Sequence, residues 1–428
     1  MRGFACIFVV ILILSVGVQL FEHARAGPAV LAVPDDFSTI QEAVNNAVDG
    51  DTIFVKAGTY YEHVIVNKSI SLQGEDVSTT IIDGNDTGNV IYIVRNDVNI
   101  TGFTIRNSGH ASTSAGIRLD NAPDSQIHSN NITGNYYGVL LYSSSPSVSI
   151  LNNTIASNEF GVRVVNGGSD YLNVSNNVVM NNRAYVVAGW DPGYGIGLTG
   201  STIGSHNATI ANNLIMNNGD GMYLGRNSNY NTVSRNNIIM NTHGLYIEYS
   251  TKNMIYSNNF VDNERWQAFA HIGYFNSTDG VHVIQPSVNA WDNGYPSGGN
   301  YWSDYSGADA YKGFYQNETG SDGIGDTPVI VEERPYPLLP NVDRYPLAAP
   351  WSEILGPVGD VNGDGKVDMK DIGYVARRVM CLPGEGLWDP GADLNGDGRI
   401  NMTDIGIAVV ARRARLKGLI EESSMNRI

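Results

Sequence analysis

A six-residue pattern, Asn-x-(aliphatic or Phe)-x-x-Asn, recurs six times in the middle of this chain. It spans Asn130–Asn135, Asn153–Asn158, Asn176–Asn181, Asn212–Asn217, Asn236–Asn241 and Asn258–Asn263, with starts 23, 23, 36, 24 and 22 residues apart. A fixed period of this size marks a solenoid, and the one long interval reads as a unit with an insertion of about 13 residues between Arg183 and Ser205. The chain holds 48 Gly and 46 Asn in 428 residues, and 27 of the Asn lie between Asn130 and Asn263. Both residues are poor helix formers, so the repeated unit is not helical.

A second signal is locked to the first. Gly138, Gly161, Gly221 and Gly244 each follow an Asn pattern by a few residues, and Gly116 and Gly195 open similar segments. Positions one and three after each Gly are apolar: Ile117 and Leu119, Val139 and Leu141, Val162 and Val164, Ile196 and Leu198, Met222 and Leu224, Leu245 and Ile247. Position two is mostly different: Arg118, Leu140, Arg163, Gly197, Tyr223 and Tyr246. Period two with one buried face is a β-strand. A unit of about 23 residues cannot bury that face alone, so neighbours must stack. Short strands joined by Gly and Asn turns predict an all-β, right-handed parallel β-helix. Asn suits the bends because its amide reaches the rungs above and below and because it tolerates left-handed backbone. A leucine-rich repeat would need a Leu consensus and a helix per unit, and neither is present.

Open rungs at the end of a solenoid invite edge pairing and need a cap. Ser38-Thr39-Ile40-Gln41 reads as a capping box, Ile40, Ala43, Val44, Ala47 and Val48 as one apolar helical face, and Gly50 as the close of that helix. The strands that follow, Asp51 to Glu75, resemble the opening segment of pectin-lyase-like β-helix proteins. Beyond Asn263 the repeats give way to Gly299-Asn300-Tyr301-Trp302-Ser303-Asp304-Tyr305, Asp322-Gly323-Ile324-Gly325-Asp326 and Asp343-Arg344-Tyr345-Pro346-Leu347. That series resembles the C-terminal portion of NosD-like β-helix proteins, grouped with carbohydrate-binding and sugar-hydrolase (CASH) repeats, and the likeness covers roughly Gly27 to Ala349. It implies the β-helix fold and, for some members, a role in copper-site maturation.

The sharpest motif is duplicated. Asp360, Asn362, Asp364, Lys366, Asp368 and Asp371 occupy positions 1, 3, 5, 7, 9 and 12 of one loop. Asp393, Asn395, Asp397, Arg399, Asn401 and Asp404 repeat them 33 residues later. Such a loop offers oxygens around one Ca²⁺, with position 7 supplying its carbonyl. Gly365 and Gly398 supply the sharp turn, and Val367 and Ile400 pack the loops together. Position 12 is Asp, where an ordinary EF-hand carries Glu. The pair resembles a type I dockerin over about Asp360 to Arg415. The resemblance implies two Ca²⁺ sites, a small α-helical domain and a cohesin module on a scaffold or surface protein as partner. A bare Ca²⁺-stabilised module is the plainer alternative. Loop positions 10 and 11 are the partner-face candidates, and they differ between copies: Met369 and Lys370, then Met402 and Thr403.

On the β-helix, outward positions two and four after the Gly give a candidate glycan face of Arg118, Asp120, Tyr142, Arg163, Tyr223, Tyr246 and Glu248. Aromatic rings stack on sugars, while acids and Arg bond hydroxyls. The alternative is an ordinary solvated sheet face, where Tyr and Arg are favoured anyway. The insertion near Trp190, Asp191 and Tyr194 is placed to overhang it. No catalytic residue is located. Asp120 and Glu248 share a column but lie five or six rungs apart, too far for paired-carboxylate hydrolysis. Gly58, Tyr60 and Glu62 fit the first motif of pectin methylesterases, whose other motifs are absent, and they read as a structural turn. If the chain is an enzyme, the expected class is a polysaccharide lyase or O-glycosyl hydrolase. Met180, Met216 and Met240, each read as sitting before the second Asn, together with His243 are the residues to weigh for copper, since thioethers suit Cu(I). An adaptable core is the plainer use of such a Met stripe.

Charge and targeting complete the reading. Residues 1–26 have the form of a signal peptide: Arg2, an apolar run from Phe4 to Leu20, and Ala24-Arg25-Ala26 as a cleavage site. A retained anchor is the alternative. Cys6 would leave with the signal, making Cys381 a lone thiol. The formal charge is −17, which argues against a nucleic-acid or membrane-surface partner. Residues 27–349 hold 30 acids and 14 bases, whereas residues 360–415 hold 9 acids and 8 bases. The acids of the second region are therefore ligands, while the β-helix would repel a polyanion, so neutral glycans are the expected class. Ten N-x-S/T sequons, Asn67, Asn99, Asn131 and Asn207 among them, allow surface glycosylation. The expected organisation is a signal over 1–26, a β-helix over 27–349 with its NosD-like end at about 290–349, a linker over 350–359, the dockerin over 360–415 and a tail over 416–428. The expected role is a secreted, cohesin-docked β-helix that binds or degrades a polysaccharide. A NosD-like copper protein and a non-catalytic adhesin or structural β-helix are the alternatives.

Overall fold

The computed structural model describes residues 27–166, 168–184, 193–199, 204–271, 273–276, 282–285, 287–331 and 341–351, with isolated positions 370, 375, 377, 378, 392 and 400. The signal segment, the named calcium-ligand positions of both loops, Trp190, Asp191 and Cys381 lie outside the described residues, and of the partner-face candidates only Lys370 lies within them.

Successive strands go in rotation to three sheets of ten, ten and nine strands. The first sheet runs from Val30–Val33 to Met254–Tyr256, the second from Gly58–Tyr61 to Asn259–Val261 and on to Tyr301–Trp302, and the third from Val64–Val66 to Trp266–His271. Each strand pairs in parallel with the equivalent strand one turn on, as in Ile117↔Val139 and Val139↔Val162. This is the parallel β-solenoid that the repeats predict. Apolar side chains stack like on like inside it: Ile127, Ile150 and Val174 in the first sheet, Ile132, Ile155 and Val179 in the second, Val139, Val162 and Ile196 in the third, all fully buried. Each such side chain contributes roughly 1.5–3 kcal/mol of burial.

The Asn pattern divides into two tasks performed by different residues. One buried column is Asn130, Asn153, Asn177, Asn213, Asn236, Asn258 and Asn300; a second is Asn135, Asn158, Asn182, Asn218, Asn241 and Asn263. In both, the backbone N–H of one rung donates to the side-chain Oδ1 of the next at 2.9–3.1 Å. The Nδ2 donates to a carbonyl of the preceding turn, as from Asn153 to Ile127 O at 2.8 Å. The residue just before a column Asn takes left-handed backbone instead, as at Asn152, Asn176, Asn181, Asn212 and Asn217. The periodicity therefore had the wrong member of four Asn-Asn doublets. Asn177/Asn182 and Asn213/Asn218 carry the ladder, not Asn176/Asn181 and Asn212/Asn217. A Ser column does the same work at another corner, with the Ser145, Ser169, Ser205, Ser228 and Ser250 N–H groups donating to the next Ser Oγ.

The N-terminal turn is plugged by the helix α1, Ile40–Asn46, which buries Ile40, Ala43 and Val44. Its capping box is Thr39 to Glu42: Thr39 Oγ1 accepts from Glu42 N and Glu42 Oε2 from Ser38 N. That differs from the Ser38–Gln41 expectation. Ala47 already has extended backbone, so the helix ends before Gly50, and Val48 is exposed. Glu62 adds a second cap, accepting from Ile40 N and Gln41 N at 3.0 Å. The Gly58–Glu62 motif is thus structural. At the other end Trp302 stacks on Phe260 at 4.6 Å, and Asp343 takes the next ladder position after Asn300. Burial pushes the Asp343 carboxyl up to about 7, against the pull of hydrogen bonds from Asn300 N, Trp302 Nε1 and Tyr345 N. Beside it the Arg344 guanidinium grips Asp292 through Nε and Nη2 at 2.9 and 2.6 Å. No helix among the described residues is long and apolar enough to cross a membrane.

Candidate functional site

The outer face of the third sheet concentrates the unusual chemistry, and the Gly column explains how it is built. A Cβ on Gly138 would lie 2.7 Å from Gly161 O and 3.1 Å from Asn158 Nδ2, so only Gly lets the strand pass the Asn ladder there. The residue before each Gly then joins the outer face with position two. Tyr137, Leu140, Phe160, Tyr194 and Tyr223 form a packed cluster separate from the core, flanked by Tyr136, Tyr142, Val165 and Tyr246. Leu140 is fully buried and Tyr223 is 9% exposed, so this is not an ordinary solvated face.

The seven residues singled out from the sequence fall into three groups along the axis. Arg118, Asp120 and Tyr142 come together with Tyr92. Arg118 Nη2 donates to Asp120 Oδ2 at 3.0 Å, Tyr92 OH donates to the same oxygen at 3.1 Å, and the guanidinium lies 4.2 Å from the Tyr142 ring centroid and 5.0 Å from that of Tyr92. Burial works against the Asp120 charge, but hydrogen bonds from Ser143, Arg118 and Tyr92 outweigh it and hold the carboxyl below its ordinary value. Arg163 stands alone among rings, 5.0 Å from Phe160 and 5.5 Å from Tyr137, and donates to Tyr137 OH at 3.2 Å. Tyr223, Tyr246 and Glu248 form the third group. Tyr223 OH donates to Glu248 Oε2 at 2.5 Å, and the rings of Tyr223, Tyr246 and Phe269 stack at 5.4 and 5.6 Å. Burial, then Glu248, raises both the Tyr223 and Tyr246 hydroxyls above the ordinary phenol value, so they stay neutral donors.

Asp220 was missed, and His243 was considered only for copper. Their position, directly before a Gly, is the signal: Tyr137, Phe160, Tyr194, Asp220 and His243 all hold it. Asp220 and His243 pair across adjacent strands, with His243 Nδ1 2.5 Å from Asp220 Oδ1, and the imidazole stacks on Trp266 at 4.5 Å. The insertion falls in the connection that leads into the strand carrying Tyr194. Thirteen residues separate the strands Val178–Met180 and Tyr194–Leu198, where three separate the equivalent strands Thr154–Ala156 and Phe160–Val164.

Asp120 and Glu248 do share an outer column, following the register through Tyr142, Val165, Thr199 and Gly225. Five turns at ~4.8 Å place them ~24 Å apart, which rules out joint action on one glycosidic bond. The face can stack rings and exchange hydrogen bonds along an extended ligand.

The copper donors do not assemble. Met180 and Met216 are register partners on the second sheet, but Met216 pairs next with Ile239, and Met240 falls one position later in a left-handed bend. The three-Met stripe is therefore a pair. Val179 and Ile215 point inward beside them; Met216 is itself buried and Met180 half-buried. His243 belongs to the third sheet with one nitrogen committed to Asp220. No group of three or more His, Cys, Asp or Glu among the described residues could hold a metal. These residues do not fit a copper centre.

Comparison with known proteins agrees with this architecture. The sequence model described as periplasmic copper-binding protein (NosD) matches residues 44–188 and 174–307, and that of the dockerin type I domain matches residues 358–409. No curated protein matches the chain. Among solved structures, the Dettilon tailspike protein is 17% identical at a TM-score of 0.42, over 55% of this chain and 51% of its own, so the chain spans about half of that protein. The alginate lyase from Paenibacillus sp. str. FPU-7 is 16% identical at 0.40, over 61% of this chain and 99% of its own. A mannuronan C-5 epimerase A-module of Azotobacter vinelandii is 14% identical at 0.40, over 59% and 78%. With its family match running over most of the solenoid and more than half of the chain, this protein belongs to the NosD family of β-helix proteins and carries a type I dockerin domain.

Proposed function

We propose that this protein is a secreted glycan-binding β-helix, held on an extracellular scaffold or cell surface by its dockerin. The observation that carries the glycan half is the aromatic and Arg-lined outer face of the third sheet. Rings of Tyr137, Phe160, Tyr194, Tyr223, Tyr246 and Phe269 follow one another at 5.1–5.6 Å along the axis. On this packed face Tyr92, Tyr142 and Tyr246 stay half-buried and would meet an extended chain of sugar rings, with Arg118, Asp120, Arg163 and Glu248 to bond hydroxyls. The acidic β-helix favours uncharged glycans over polyanions.

The docking half rests on the duplicated loop. Asp360, Asn362, Asp364, Lys366, Asp368 and Asp371 would hold one Ca²⁺, and Asp393, Asn395, Asp397, Arg399, Asn401 and Asp404 the other. Calcium orders the domain, and Met369, Lys370, Met402 and Thr403 would meet a cohesin. Domain limits of 27–349 and 360–415, with a removed signal over 1–26, follow from the same reading.

The test uses the full secreted chain. A calcium-loaded sample should bind an immobilised type I cohesin and lose it in EGTA, and the Asp364→Ala/Asp397→Ala double variant should not bind. A neutral-polysaccharide panel tests the other half. Retention without new reducing ends or unsaturated products supports a binding module, release of either product makes it an enzyme, and no retention overturns the glycan reading.

A further inference from the structure

We infer that the outer face of the third sheet contains a hydrogen-bonding subsite centred on His243 that receives a hydroxyl of an uncharged glycan. This rests on the glycan-binding reading and assigns it a specific contact.

The inference starts from the two imidazole nitrogens. Asp220 is nearly fully buried, and its Oδ1 lies 2.5 Å from His243 Nδ1. An ionised carboxylate only accepts, so in the neutral ring Nδ1 carries the proton and Nε2 carries the lone pair. That Nε2 is buried and has no hydrogen-bond partner among the described residues. Buried polar atoms are almost always paired, and an orphan in a native structure calls for an explanation. Ordinary packing does not supply one, because the carboxylate that fixes the ring is itself held in place by the sheet register: Asp220 pairs with His243, and His243 with Trp266. A histidine oriented through one nitrogen while the other is kept unpaired is arranged to hydrogen-bond something outside the chain, and a sugar hydroxyl can serve Nε2 as donor or acceptor.

The surroundings select the donor. The imidazole stacks on Trp266 at 4.5 Å, Trp266 stacks on Phe269 at 4.8 Å, and Phe269 on Tyr246 at 5.6 Å. One position along, Tyr223 donates its hydroxyl to Glu248. Flat apolar rings beside an imidazole nitrogen suit a pyranose, which offers C–H faces to the rings and a hydroxyl to the nitrogen. Asp220 and Glu248 would oppose an anionic sugar at this end of the track. Nε2 is buried in the free chain, so binding requires local opening around His243.

The same nitrogen is not set up for hydrolysis. His243 and Glu248 lie five residues apart on one strand, ~17 Å, too far to serve as base and acid across one bond. The subsite positions a ligand.

The full chain should be titrated calorimetrically with xylohexaose and with cellohexaose, two uncharged hexasaccharides, as wild type and as His243→Phe, which keeps a ring against Trp266. Roughly tenfold weaker binding by the variant is expected, the loss of one buried hydrogen bond. In parallel, the wild-type His243 Nε2 ¹⁵N resonance should move when the tighter hexasaccharide is added, a readout that does not depend on the variant folding. Equal binding by both proteins, or an unmoved Nε2 resonance in a saturated sample, overturns the subsite and leaves the glycan face standing. Wild type that binds neither sugar overturns the subsite, and the panel of neutral polysaccharides then decides separately whether the glycan face survives.

Discussion

The corners of this solenoid and the outer face of its third sheet are built on the same period and behave in opposite ways. At the corner every turn places the same residue type in the same bond, Asn130 through Asn300 in one column and Ser145 through Ser287 in another. On the third sheet the outer column reads Tyr92, Arg118, Leu140, Arg163, Gly197, Tyr223, Tyr246 and Phe269, and hardly two neighbours match. Repetition is the signature of a load shared equally by all rungs, because each ladder bond satisfies a backbone group that the bend would otherwise bury unpaired. Variation at fixed geometry frees side chains for recognition.

That contrast predicts where substitution hurts. The largest loss should come from the ladder. Asn213→Leu removes the side-chain hydrogen bonds to Asn177, Val174 and Asn236 and strands the Asn177 N–H inside. Denaturant unfolding should show a loss of about 5 kcal/mol. A loss under 1 kcal/mol at Asn213 would break the contrast.

Asp343 sharpens the comparison, since it ends the ladder with a carboxyl where every earlier rung has an amide. Its folded value of about 7 lies above the ordinary 3.8, so the fold favours the protonated acid. That contribution is complete below about pH 4 and is lost as pH rises through 7, up to ~4 kcal/mol in all. Asp83, Asp120 and Asp292 shift the other way and add stability above their unfolded values. Unfolding of wild type against Asp343→Asn between pH 4 and 8 should show the downward slope only in wild type.

A smaller effect on stability is expected from the outer face, where the main loss should be in binding. Arg163→Ala should weaken neutral-glycan retention roughly tenfold while moving stability by about 1 kcal/mol, through lost contacts with Phe160 and Tyr137. Smallest of all, replacing Met180 and Met216 by Leu should leave Cu(I) binding by the full chain unchanged in a chelator competition, because the two thioethers have no third donor aligned with them.

The solenoid was legible because its signals are local and repeated. Gly at one corner, Asn at another and period-two strands between them set the stacking with little else. What sequence could not resolve was which of two adjacent Asn does which job. Asn176 and Asn177 are identical in type, and only the backbone separates the left-handed one from the buried one. The same one-residue ambiguity aligned Met240 with Met180 and Met216. On the outer face, strict alternation found Arg118, Arg163, Tyr223 and Tyr246 but hid Asp220 and His243. They precede a Gly whose contact with the ladder interrupts the alternation. Glu62 carried a motif that looked chemical and proves to cap a helix 20 residues upstream, a contact that no local pattern encodes.

The central claim is that the third sheet's outer face, and no other surface of the β-helix, engages a glycan. The direct measurement is retention of the full chain on the neutral polysaccharide it binds best, as wild type, as Arg163→Ala/Tyr246→Ala, and as Gln126→Ala/Ser149→Ala on the outer side of the first sheet. Retention lost only in the third-sheet variant is the result predicted here. Equal retention by all three, or loss in the first-sheet variant, would contradict it.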